Sequence, residues 1–146
     1  MMDMQRSRRA RLALAFACSV TLAACGGGGG GGYGSSSSGG VMLAPTLASI
    51  QANVFTPICT ACHTGASAPQ GLRLDDGTSC ANLINMHSPQ DSSLIRVVPG
   101  NANASFIIQK LEGTQTVGAR MPFGGPYLPQ STIDVIRQWI ASGAAC

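Results

Sequence analysis

The sequence predicts a small, mostly α-helical domain, and two observations carry that prediction. Apolar residues recur at helical spacing near each end of the region 46–146. No long stretch alternates apolar and polar residues as a half-buried strand would. Residues 46–146 supply about 100 positions, enough for one core.

Taken in chain order, Leu47, Ile50, Val54 and Ile58 predict a first helix, whose last turn Pro57 should break or tighten. Residues 80–87 and 104–111 read as two short helices, whereas 72–74 and 94–98 could be extended. Ser131-Thr132-Ile133-Asp134 reads as a capping box, opening a helix with Ile133, Ile136 and Ile140 on one face and Trp139 beside them. Gly143 is its expected stop. Proline and glycine punctuate the remainder, and no internal repeat is visible. Aromatic residues within 46–146 are few: Phe55, Phe106, Phe123, Tyr127 and Trp139. A domain this small usually needs a staple, metal or cofactor to complete its core.

The region before the domain reads as a leader and a tether. Arg6, Arg8, Arg9 and Arg11 form a basic patch, and an apolar run from Leu12 to Leu22 follows, too short for a mature membrane span. Leu22-Ala23-Ala24-Cys25 resembles the lipobox of bacterial lipoprotein signal peptides. The resemblance implies that residues 1–24 are removed and that Cys25 is lipidated, an ordinary signal peptide being the alternative. Gly26 rather than Asp follows the cysteine, which points to the outer membrane and a place in the cell envelope. Residues 25–45 are dominated by glycine and serine and bury no apolar surface. Without the leader, five basic residues (Arg73, Arg96, Lys110, Arg120 and Arg137) face five acidic ones (Asp75, Asp76, Asp91, Glu112 and Asp134). The precursor's basic pI of about 8.7 therefore gives no support to nucleic-acid binding.

The chemistry lies in Cys59-Thr60-Ala61-Cys62-His63. Two thiols at this spacing, followed at once by an imidazole, match the demands of covalent haem c: two thioether bonds to the vinyl groups and a nitrogen under the iron. An exported chain strengthens the reading, because bacterial haem attachment occurs outside the cytoplasm. Three alternatives compete: a thioredoxin-like redox pair, a Cys59–Cys62 disulfide, and a zinc site recruiting Cys80, His87 or Cys146. The first lacks a βαβ context, and the last lacks a second close ligand pair.

With these residues in view, the chain resembles a class I monohaem c-type cytochrome, in particular the planctomycete-type group of bacterial domains. The resemblance runs from the first helix through Gly71-Leu72-Arg73-Leu74, Val98-Pro99-Gly100-Asn101, Ser105-Phe106 and Met121-Pro122 to Trp139-Ile140-Ala141-Ser142-Gly143-Ala144. It implies a helical fold around one haem, with His63 as proximal and Met121 as distal iron ligand. The placing of Met121 in a Gly/Pro-rich loop just before the last helix supports that ligand independently. Met42, near the tether, and the adjacent Met86 and His87 are the other distal candidates. Trp139 is expected in the core, towards the haem or the first helix. Arg73 or Arg120 could meet a haem propionate or simply be solvated.

Cys80 and Cys146 remain after the other cysteines are assigned, and in an exported domain two spare cysteines suggest one intrachain disulfide, against free thiols or pairing between chains. The expected function is transfer of single electrons between transient protein partners by a monomeric carrier, anchored to the membrane only through its lipid. It requires no catalytic residue. Two other classes stay open: a haem enzyme or sensor with an open distal site, peroxidase-like, and a non-haem metal or structural disulfide module.

Overall fold

The structure, a computed structural model, describes residues 42–146. The expected leader 1–24, the lipidated Cys25 and the tether up to residue 41 lie outside the described residues. About 38% of the structure is helical, in short pieces joined by longer loops. Helix α1 is Leu47–Ile50, and α2, α3 and α4 are Ser79–Leu83, Phe106–Glu112 and Gln130–Ala141. Strands β1 (His87–Ser88) and β2 (Asp91–Ile95) pair antiparallel, His87 opposite Ile95 and Ser88 opposite Asp91, with an irregularity between the two pairs.

The first helix differs instructively from its sequence reading. Thr46 caps α1 by accepting from the Ser49 amide, and beyond Ile50 the chain continues as a π-helix over Gln51–Cys59. Pro57 sits inside this widened segment, which neither breaks nor tightens there. Proline brings no N–H, and its ring collides with the carbonyl four residues back in an ordinary α-helix. The i→i+5 spacing, seen in the bond from the Thr60 amide to the Phe55 carbonyl at 2.9 Å, accommodates that ring. One apolar face survives: Ile50, Val54 and Phe55 are buried, while Ile58 is left exposed.

The second and third expected helices are shorter than read. Helix α2 ends at Leu83, and residue 87 opens the hairpin instead. Residues 72–74 form no strand, whereas 94 and 95 belong to β2. Helix α4 begins at Gln130, with Pro129 in the cap position and its carbonyl accepting from the Thr132 and Ile133 amides. Ser131 therefore lies in the first turn, and the capping box is replaced by a Gln130–Asp134 side-chain bond of 2.9 Å. Proline suits that position, since its missing N–H would be unpaired there anyway.

Ile133, Ile136, Trp139 and Ile140 of α4 are all buried, and they meet Ile50, Val54 and Phe55 of the first helix in one cluster with Leu83, Val97, Ile108 and Leu111. Each fully buried isoleucine contributes about 1.5–3 kcal/mol relative to exposure. The Trp139 indole donates to the Ala145 carbonyl at 2.9 Å, folding the C-terminal residues back on the helix that precedes them. Cys146 then reaches Cys80, and the two are disulfide-bonded with Cα atoms 5.9 Å apart.

Candidate haem-binding site

Cys59 closes the π-helix, and its carbonyl accepts from the amides of both Cys62 (3.1 Å) and His63 (2.8 Å). These bonds wrap the motif into a single tight turn, so both thiols and the imidazole leave one short piece of backbone. Cys59 is half-buried, Cys62 is exposed, and the two are not bonded to each other. Burial pushes the Cys59 thiol up to about 11. A redox-active cysteine reacts as thiolate and is favoured by the opposite shift. Nor do three His, Cys, Asp or Glu side chains converge anywhere among the described residues.

His63 is the best-anchored member of the motif. Its ring Nδ1 lies 3.1 Å from the Leu72 carbonyl, and its own carbonyl accepts from the Leu74 amide at 2.8 Å. With Nδ1–H donating, the tautomer is set and Nε2 keeps its lone pair for a metal. Nε2 has no hydrogen bond among the described residues. Burial lowers the His63 pKa; the Leu72 carbonyl opposes this, and the nearby charge of Arg96 adds to it. The net effect favours the neutral imidazole that ligation requires.

Residues 72–75 are themselves fastened from behind. Buried Gln51 donates to the Leu74 carbonyl at 2.8 Å and accepts from the Ser79 hydroxyl at 2.7 Å, linking the π-helix to α2 through this segment. Asp75 holds the residues just past the motif, accepting from the Thr64 hydroxyl and from the Gly65 amide at 3.3 Å. The Thr64 bond, before the others, lowers the Asp75 pKa. Sequence reading did not single out Gln51 or Asp75, because neither belongs to a recognisable motif.

The methionine loop is tied to α3. The Met121 amide donates to the Lys110 carbonyl at 2.9 Å, and Lys110 Nζ donates to the carbonyls of Val117 (2.7 Å) and Ala119 (3.3 Å). Gly118 passes so close that a Cβ there would meet Lys110 Nζ at 2.5 Å, and its φ of +70° is one that other residues rarely adopt. Arg120 donates to the Leu111 carbonyl at 3.0 Å and lies over the Tyr127 ring. Met121 is half-buried and packs on the core cluster, as Cys59 and Leu72 do. Met42 and Met86 are exposed, at 89% and 44%. His87 is exposed too, and its Nδ1 contacts the Ser92 carbonyl within the hairpin.

Of the two arginines considered for a propionate, Arg73 pairs with Asp75 at 3.4 Å and Arg120 serves the methionine loop. The arginine whose charge bears on His63 is Arg96, which sequence reading did not single out. Two surface depressions lie elsewhere, one beside Gly100, Asn103 and Arg137, the other beside the disulfide.

The donor set fits a covalent haem. Two thiols and an imidazole with a fixed tautomer share one turn, a half-buried thioether comes from a braced loop, and the apolar side chains of Ile58, Phe123 and Tyr127 stand uncovered. No family model, curated protein or solved structure matches the chain.

Proposed function

We propose that the protein is a c-type cytochrome that carries single electrons in the cell envelope, with one haem held by Cys59, Cys62, His63 and Met121. The observation that carries the reading is the His63 ring, bonded through Nδ1 to the Leu72 carbonyl at the end of a Cys-X-X-Cys-His turn. A bound haem supplies an iron that accepts and releases one electron without a substrate pocket or a catalytic base.

The chain's own residues do the rest. Cys59 and Cys62 would hold the group through thioether links, so that it would be retained when non-covalent contacts open. His63 offers a neutral Nε2, kept neutral by its burial and kept aligned by Leu72. Met121 offers a soft sulfur, which favours the ferrous state relative to a nitrogen ligand. Lys110 and Arg120 brace the loop that leads into it. Lipidation at Cys25 and the glycine-serine tether would hold this head at a membrane while leaving it free to meet soluble partners.

The test is chemical. Protein expressed with its leader in a haem-competent bacterial host should keep its colour on the polypeptide through acid-acetone precipitation. A colourless precipitate defeats the proposal. A high-spin, five-coordinate spectrum would instead assign the protein to haem enzymes or sensors with an open distal site.

A further inference from the structure

We propose that Arg96 is a positioning residue for His63: its guanidinium clamps the turn that presents the Leu72 carbonyl to the imidazole. The inference rests on the reading of His63 as an iron ligand and names what holds that ligand in place.

Arg96 is only 7% exposed. Its two terminal nitrogens donate to the carbonyls of Gln70 (2.6 Å) and Asn82 (2.8 Å). These carbonyls belong to different parts of the fold, the 3₁₀ turn Pro69–Gly71 and the last residues of α2. The backbone of Arg96 is fixed on both sides, its amide donating to the Met86 carbonyl at 2.8 Å and its carbonyl accepting from Ile107 at 3.0 Å. Among the described residues the ion pairs are Arg73–Asp75 and Arg137–Glu112, so no carboxylate shares the Arg96 charge. A buried guanidinium that ends only on backbone carbonyls is placed for geometry rather than for charge pairing.

The clamped turn needs an external hold. Gln70 has φ +57° and Gly71 +59°, two successive residues in the left-handed region, and Gln70 bears the Cβ that disfavours it. The bond from Arg96 falls on Gln70 itself, and the carbonyl that meets His63 is two residues further on. Release of Gln70 lets the turn relax to ordinary dihedral angles and swings the Leu72 carbonyl away from Nδ1. Lysine does not reproduce the clamp, because the Gln70 and Asn82 carbonyls are met by two separate guanidinium nitrogens held in a rigid plane, and lysine brings one nitrogen on a flexible stem.

The experiment follows hydrogen exchange of the His63 Nδ1 proton by NMR in the full-length protein, kept reduced wherever haem is bound, comparing wild type with Arg96→Lys and Arg96→Met. The Gly100 amide, bonded to the Ile140 carbonyl at 2.8 Å, serves as a reference for global opening. Both variants should exchange the ring proton at least tenfold faster, with the Gly100 amide changed less than threefold. Adding Gln70→Gly to Arg96→Lys should recover part of the protection, because glycine holds the left-handed turn unaided. Wild-type exchange in Arg96→Lys, or equal acceleration at His63 and Gly100, overturns the proposal. Should Arg96→Met fail to fold, the lysine variant and its glycine partner decide alone. A wild-type chain without covalent haem refutes the electron-carrier reading separately, and the ring-proton comparison, which needs no iron, still decides the clamp.

Discussion

Replacing both Cys80 and Cys146 by serine should remove about 4 kcal/mol of stability while leaving haem attachment intact. The bond joins positions 66 residues apart. For a loop of that length the chain-entropy relation gives about 4 kcal/mol at 25 °C, to be reduced by any strain in the native bond. Neither sulfur is deep in the core: Cys80 is half-buried and Cys146 exposed, so serine costs little packing at either end. The loss is therefore almost wholly that of the cross-link. With a urea slope of about 1.5 kcal/mol/M, the denaturation midpoint should fall by about 3 M. The assay is urea unfolding followed by far-UV circular dichroism, with the visible spectrum recorded alongside. The Trp139–Ala145 bond and the buried face of α4 remain, so the folded variant should retain its ligand field in water. A midpoint within about 0.5 M of wild type refutes the entropic account and leaves packing alone to hold the C-terminus.

Two further outcomes follow from the site. Met121→His should keep a low-spin iron with a lowered reduction potential, while Met121→Ala should abolish the weak far-red thioether band; an unchanged spectrum in Met121→Ala, with a change in His87→Ala, would move the distal ligand to the hairpin. Asp75 should matter only above the acid range. Its folded-state pKa is lowered from 3.8, so its contribution is present above that value and is lost as the pH falls through the folded one. Asp75→Asn should therefore lower the urea midpoint at pH 6, and the difference from wild type should shrink progressively as the pH falls below 3.8; a difference that does not shrink on acidification contradicts the assignment.

The parts of this protein that can be read from its sequence are those written in local patterns. The five-residue motif needs only its own spacing, and the apolar faces of the first and last helices need only periodicity. What escapes is set by partners distant in the chain. Nothing near Arg96 marks it as buried, because its hydrogen-bond acceptors lie 26 and 14 residues away. Gln51 reads as an unremarkable polar residue in a helix until Leu74 and Ser79 are brought against it. Pro57 signals a disturbance without disclosing its sense: the same missing N–H is compatible with a break, a tighter turn, or the wider one that occurs. The hairpin is likewise too short for alternation to register, since β1 comprises two residues.

The burial of Arg96 and Lys110 has a consequence for how the molecule looks from outside. By count the domain is neutral, five cations against five anions. Two of those cations are turned inward on backbone carbonyls, each only 7% exposed, whereas none of the five carboxylate residues is buried. Solvent therefore meets three positive side chains and five negative ones. Such a surface attracts a partner with a basic face and repels another acidic one. The attraction fades over a Debye length of about 10 Å at 0.1 M salt, making encounter rates with a basic partner fall as ionic strength rises.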